Sequence, residues 1–219
     1  MIIGLVGFIG SGKDTVADLF IKTQYCTKDS FAAPLKDMCA SIFGWPRAML
    51  EGDTVQSRDF RDTPDMFWSR KTGIPNFTPR LALQLMGTDV LREHFHKDIW
   101  LNSLEYRIRA KTETHPCVVV SDARFQNELT LIKQLGGVVI WVQRGELPEW
   151  YNTAVEANAG NVLSQKIMNT KYRDVHRSEW DWAGFDVDYN IHNDGSLDDL
   201  HTAVQYVQQK IRGTTLKAV

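Results

Sequence analysis

Ile2-Ile3-Gly4-Leu5-Val6-Gly7-Phe8-Ile9-Gly10-Ser11-Gly12-Lys13-Asp14-Thr15 is the stretch on which the reading of the whole chain turns. A short branched apolar run leads into Gly7-x-x-x-x-Gly12-Lys13, and a helical pattern carrying Val16, Leu19 and Phe20 follows. Strand, glycine loop, lysine and helix in that succession form the setting in which this motif binds phosphate. Glycine permits backbone conformations that a β-carbon blocks, so successive N–H groups can turn inward as an anion nest. The helix that follows adds its positive N-terminal end. Gly10, Ser11, Gly12, Lys13, Asp14 and Thr15 are therefore the candidates for holding the phosphates of a nucleotide. The residue after such a lysine is usually Ser or Thr, whose hydroxyl sits on Mg²⁺. Here it is Asp14, with Thr15 next, and either one can serve the metal.

A chain of 219 residues is long enough for one large domain with insertions and a substantial core. A net charge of -2 argues against a broad nucleic-acid surface, while leaving room for a local basic site. No apolar run reaches membrane-spanning length, and no basic segment precedes the first strand, so the expectation is a cytoplasmic protein. Cys26, Cys39 and Cys117 are scattered, with no C-x-x-C pair, and are expected to be reduced, buried thiols.

Further along, Pro34 suits the first turn of a helix that carries Leu35, Met38 and Ile42 inward and ends at Gly44. Lys36 lies in that first turn, where it either reaches a phosphate or stays solvated. From Trp45 to Asn76 no period holds, and the stretch reads as an irregular insertion. Thr78-Pro79 then opens a helix expected to run to about Phe95. Arg80, Gln84 and Thr88 share one face of it. Gly87 beside them, about 1 kcal/mol worse than Ala in mid-helix, marks either a close approach at the backbone or a kink whose polar residues face solvent. Another helix, with Trp100, Leu104 and Ile108 as its stripe, covers about Asp98 to Lys111.

Pro116 to Val120 is a continuous apolar run, as a central parallel strand should be, and it ends in Ser121-Asp122-Ala123-Arg124. Residues at such strand ends line the ligand site in open α/β sheets. Asp122 is placed to face a metal or its waters, or to cap the next helix. Glu128, four residues beyond Arg124, is placed to hold its guanidinium. Val138 to Val142 is another buried strand, followed by Arg144. The segment from Gly145 to Ala183 reads as irregular and polar. Arg173, His176, Arg177 and Glu179 in its second half are candidates, with Arg144, for a lid over transferring phosphates. Asp188 to His192 is the last strand, and Ser196 caps a final amphipathic helix. Strands alternating with helices give an α/β fold of three layers with a parallel, five-stranded sheet. The lysine, the strand-end aspartate and the arginines suit phosphoryl transfer.

Gly7-x-x-x-x-Gly12-Lys13-Asp14-Thr15, Ala33-Pro34-Leu35-Lys36-Asp37, Arg80 with Gln84, Leu85 to Asp89, Trp100, Asp122-x-Arg124-x-x-x-Glu128, Arg144, His176-x-x-Glu179 and Asn193 to Leu197 occur in that order. In this set the chain resembles the bacteriophage deoxynucleoside monophosphate kinases, in which Asp-Thr after the lysine is usual. The resemblance implies a P-loop kinase fold as one domain over 1–219, with an acceptor-binding insertion at about 33–113 and a lid-like one at about 145–183. It implies ATP and a deoxynucleoside monophosphate as substrates and Mg²⁺ as cofactor, with Asp14, Thr15 and Asp122 near the metal. Lys13, Arg80, Asp122 and Arg124 would carry the transfer. Lys36, Arg80, Gly87, Thr88, Trp100 and Arg124 would contact the acceptor, supported by Gln84 and Glu128. Asn193, Gly195 and Ser196 would border the adenine. A homodimer is expected, located in the host cytoplasm if the protein is phage-encoded. Two other readings remain: a P-loop kinase of a non-nucleotide substrate, akin to dephospho-coenzyme A kinase, and a non-catalytic ATP-binding factor.

Overall fold

A computed structural model describes residues 1–24 and 26–215. In chain order the elements are β1 (Ile2–Val6), α1 (Lys13–Gln24), β2 (Cys26–Asp29), α2 (Ala33–Phe43), a 3₁₀ turn (Arg47–Leu50), α3 (Val55–Asp62), α4 (Met66–Thr72) and α5 (Pro79–Gln84). They continue with a π-helix (Leu85–Phe95), α6 (Ile99–Thr112), β3 (Cys117–Val120), α7 (Gln126–Gln134), β4 (Val138–Gln143), α8 (Tyr151–Asn158), α9 (Val162–Thr170), α10 (Arg177–Trp180), β5 (Tyr189–His192) and α11 (Leu197–Thr215). The chain divides into two compact units, one of Met1–Ser30 with Arg107–Val219 and the other of Phe31–Tyr106.

The first unit holds a five-stranded sheet, ordered β2-β3-β1-β4-β5 and parallel throughout. Period-two alternation decides its layers. Ile3 and Leu5 of β1 join Val16 and Phe20 of α1 and Val204 and Val207 of α11 in one core. Gly4 faces the other way, and a β-carbon there would come within 2.5 Å of Ile132 on α7. Helices therefore cover both faces, as an all-parallel sheet requires. β1 sits in the middle, so its carboxyl end, where the glycine loop starts, opens between β3 and β4.

Two expectations need correction. Cys26 and Cys117 are register partners on β2 and β3 and are joined as a disulfide, leaving Cys39 as a free, buried thiol. The segment from Gly145 to Ala183 is helical, not irregular: α8, α9 and α10 close around Ala154, Ala157, Met168, Trp180 and Ala183.

The second unit has its own core of Cys39, Trp45, Leu50, Phe77, Ala82 and Leu83. Here too the stretch from Trp45 to Asn76 is more ordered than its composition implies. Thr54 caps α3 by accepting the Ser57 N–H, and Asp65 caps α4 by accepting those of Phe67 and Trp68. Phe43 stacks on Trp45 at 4.5 Å and meets Trp68 edge-on at 5.1 Å. Thr78 does cap α5, but the expected single helix to Phe95 changes pitch after Gln84 and continues as a π-helix. Wide turns of this kind are rare and occur most often at functional positions.

Candidate active site

In the first unit the glycine loop is shaped by contacts that leave no room for side chains at two positions. A β-carbon on Gly7 (φ 148°) would sit 2.2 Å from the Val142 carbonyl oxygen. One on Gly12 (φ 96°) would sit 2.4 Å from Asn193 Nδ2. Asn193 instead donates to the Ser11 carbonyl at 2.9 Å, so the turn after β5 holds the loop from behind. Asp194, next in that turn, accepts the Gly145 N–H. Gly195 and Ser196 are exposed beside it, and the Ser196 N–H and hydroxyl both bind Asp199.

Inside the loop the Ser11 hydroxyl is buried and without a hydrogen-bond partner. An orphaned buried donor is costly unless a ligand satisfies it, and a phosphate oxygen fits there. Lys13 is partly buried, and its ammonium donates to the carbonyls of Gly7 and Phe8 at 2.8 Å each. Burial first, then repulsion from the Arg124 guanidinium, lowers its pKa to about 8, against opposing pulls from Asp14, Glu179 and Asp122. Those four groups from three parts of the chain thus all act on the loop lysine.

Asp14 is exposed and accepts from Lys28 (2.9 Å) and from the Ser121 hydroxyl (3.2 Å). Burial works to raise its pKa, but the Lys28 bond and charge outweigh that and hold it below the usual carboxylate range. An ionised carboxylate of this kind, with Asp122 at the end of the neighbouring strand, is a donor set that suits Mg²⁺. Thr15 is exposed at the start of α1.

Asp122 does not cap α7; that position belongs to Phe125. Glu128 is buried and accepts the backbone N–H groups of Arg124 and Phe125, so it fixes the turn rather than the guanidinium as expected. The Arg124 guanidinium pairs with Glu179 at 2.8 Å. Of the other lid candidates, Arg144 and Arg173 are exposed, His176 caps α10 by accepting the Ser178 N–H, and Arg177 pairs with Asp181 at 2.7 Å. Arg173, His176 and Arg177 also line a cavity of about 830 Å³ together with Phe125 and Asn127.

In the second unit Arg80, Gln84 and Thr88 are all exposed, while Pro79, Ala82, Leu83 and Gly87 are buried. Arg80 is held by the Asp62 carboxylate, and Lys36 by Glu51, which also binds Arg47. Gly87 is close-packed: a β-carbon there would meet Leu35 at 2.6 Å. Its carbonyl accepts the indole N–H of buried Trp100 at 2.9 Å. Trp100 therefore fixes the wall that carries Thr88.

One group escaped the sequence reading. Phe8, in the loop itself, packs against Trp182 (5.0 Å), Trp150 (5.5 Å) and Tyr151 (6.0 Å). Trp141 on β4 completes the cluster, stacked on Tyr151 at 5.6 Å and 5.3 Å from Trp182. The density of aromatic residues between Trp141 and Trp182 was the available signal.

A family model described as deoxynucleotide monophosphate kinase matches residues 47–154. A protein of Acanthamoeba polyphaga mimivirus provisionally described as a deoxynucleotide monophosphate kinase is 39% identical over 153 residues, which cover 66% of this chain and 74% of that one. The deoxynucleoside-5'-monophosphate kinase of Escherichia phage T5 is 28% identical over 184 residues, covering 61% of this chain and 72% of that protein. Among solved structures, TT1252 from Thermus thermophilus covers 96% of this chain and 97% of its own, at 17% identity and a TM-score of 0.45, a likeness on which no argument rests.

Proposed function

Since the chain belongs to the deoxynucleotide monophosphate kinase family, we propose that it moves the γ-phosphoryl group of ATP in line onto the phosphate of a deoxynucleoside monophosphate, giving ADP and the diphosphate. The observation that carries this reading is the convergence on Lys13. A loop lysine, a strand-end aspartate and an arginine held by a carboxylate lie within electrostatic reach of one another.

The acceptor needs no general base. A phosphate monoester has a second pKa of about 6, so at neutral pH it is already a dianionic nucleophile. Catalysis is then positioning and charge neutralisation. The loop from Gly10 to Thr15 holds the donor's phosphates, and the Ser11 hydroxyl gains the partner it lacks. Lys13 neutralises the β- and γ-phosphate oxygens on either side of the breaking bond from the γ-phosphorus to its bridging oxygen, and Arg124 neutralises those of the transferred group. Asp14, Thr15 and Asp122 would hold Mg²⁺, which when bound would spread the charge of the donor's phosphates. Asn193, Gly195 and Ser196 border the adenine. Arg144, Arg173, His176 and Arg177 are assigned to the lid.

Acceptor recognition is assigned to the second unit. Arg80 and Lys36 are the cations for its phosphate, exchanging Asp62 and Glu51 for a more highly charged anion. Gln84 and Thr88 present polar groups beside Arg80, backed by Gly87 and Trp100. The test is ADP release across the common dNMPs and NMPs with and without Mg²⁺. ADP formation should require both a dNMP and Mg²⁺. Turnover with a small alcohol in place of every nucleotide would overturn the assignment, as would tight ATP binding with no acceptor-dependent turnover.

A further inference from the structure

The Phe8 side chain offers no polar group to the loop, yet it has more aromatic contacts than its position as a loop spacer requires. Its ring meets Trp150 and Tyr151, at the start of the helical segment that follows β4, and Trp182, near the end of that segment. The segment is thus fastened at both ends to one side chain of the phosphate loop. Trp182 extends the connection. Its indole N–H donates to the Glu179 carbonyl at 2.9 Å, and the Glu179 carboxylate holds the Arg124 guanidinium at 2.8 Å. A continuous set of contacts therefore runs from Phe8 through Trp182 and Glu179 to Arg124. At the other end, the Phe8 carbonyl is one of the two acceptors of the Lys13 ammonium.

We propose that Phe8 is a positioning residue that couples occupancy of the donor loop to the placement of Arg124. The inference rests on the kinase reading above. Phosphate oxygens are stronger acceptors for an ammonium than peptide carbonyls are. When Lys13 turns to the donor's phosphates, it leaves the Gly7 and Phe8 carbonyls, and the Phe8 peptide gives up its shorter bond (2.8 Å) and keeps the longer one from the Ser11 N–H (3.2 Å), so it is held less tightly. The ring moves with its peptide, and Trp182 moves with the ring. Glu179, bound to Trp182 through its backbone and to Arg124 through its side chain, carries the shift onward. The buried Trp141 indole N–H has no hydrogen-bond partner, so a change of packing there forfeits no hydrogen bond. Contiguity alone is not coupling; coupling would show as a non-additive effect of changes at the two ends.

Three variants test it on the full chain: Phe8→Leu, which keeps apolar bulk and loses the ring; Phe8→Tyr, which keeps the ring; and Trp182→Phe, which keeps packing and loses the N–H to Glu179. ATP affinity is measured by equilibrium dialysis, and tryptophan emission is recorded with and without ATP. Wild type and Phe8→Tyr should change emission when ATP binds. Phe8→Leu should bind ATP within about threefold of wild type and lose most of that change. In turnover, Phe8→Leu and Trp182→Phe should each lower kcat by about ten- to a hundredfold, the upper end being the cost of a 1 Å misplacement, with KM for ATP little altered. The double variant should be no slower than the slower single one. A full emission change in Phe8→Leu, or multiplicative losses in the double variant, would overturn the coupling. If Phe8→Leu does not fold, the same cycle between Trp182→Phe and Glu179→Gln decides: multiplicative losses refute the relay, and a shared loss supports it. Failure of the kinase reading shows separately, as wild-type protein that binds ATP and changes emission but makes no acceptor-dependent ADP.

Discussion

Donor binding should take up a proton, and the amount follows from Lys13. In the ligand-free protein burial, and then Arg124, lower its pKa to about 8 from an ordinary value of 10.5. At pH 8 about half of the molecules therefore carry a neutral lysine, and at pH 7 about one in ten. Polyphosphate beside the ammonium stabilises the charged form and returns the pKa towards or above its ordinary value. ATP binding should then absorb about 0.5 proton at pH 8 and about 0.9 at pH 9, through linkage. Calorimetric titration in two buffers of different ionisation enthalpy reads this number directly. Kinetically, kcat/KM for ATP reports the free enzyme, so it should fall about tenfold per pH unit above pH 8. The sign for stability is the opposite of the usual lysine case. A folded-state pKa below the unfolded one means that the charged form costs stability at low pH. The ligand-free protein should thus become more stable, by about 2–3 kcal/mol on this account, as pH rises from about 8 to 10.5. Proton uptake below about 0.1 at pH 8, together with a flat kcat/KM from pH 7 to 9.5, would refute the argument.

Other outcomes test separate parts of the molecule. Arg124→Ala should lower kcat by about a thousandfold, as loss of a charge-stabilising arginine does. Its melting temperature should move little, because the side chain is 46% exposed. Gly87→Ala should destabilise the second unit by about 1–3 kcal/mol through overpacking against Leu35. Leu35→Val in the same chain should restore part of that, as urea unfolding would show. Asp29 is buried at the end of β2 and holds both Arg107 and Lys111. Burial pushes its pKa up, but the Arg107 and Lys111 bonds and charges outweigh this and hold it low. Its contribution is present above the unfolded carboxylate pKa and is lost as pH falls through the lower folded one. Asp29→Asn should cost about 3 kcal/mol at pH 7, and the gap to wild type should narrow below about pH 4.

The elements that sequence could reveal are those whose pattern is local. The apolar runs around Leu5, Val119 and Ile140, and the helix starts at Thr78-Pro79 and Ser196, depend on neighbours a few residues away, and they lie where expected. The three helices between Gly145 and Ala183 were missed because each is short and its apolar residues face a small private core, so no long period develops. Asn161 and His176 are caps in plain sight, but only the folded helices make them recognisable as such. The change to π pitch at Leu85 has no sequence signature, since the Gln84–Thr88 spacing suits an α-helix equally well. In the candidate site, the loop residues and the strand-end Asp122 and Arg124 were legible from motif and position. The partner of Arg124 was not. Spacing on one helix favoured Glu128, whereas Glu179 lies 55 residues away and arrives only through the fold.

The central place of β1 bears on how such a chain acquires its shape during synthesis. This strand is made well before its neighbours, which begin more than 110 residues later, with Ile2 paired to Val118 and Ile3 to Val138. The loop behind it is braced by Asn193, later still. Contacts this distant in sequence slow folding. Until the fifth strand has been made, the nascent protein holds its nucleotide-gripping sequence without the grip, and affinity for ATP should emerge abruptly, only once Asn193 has joined the fold.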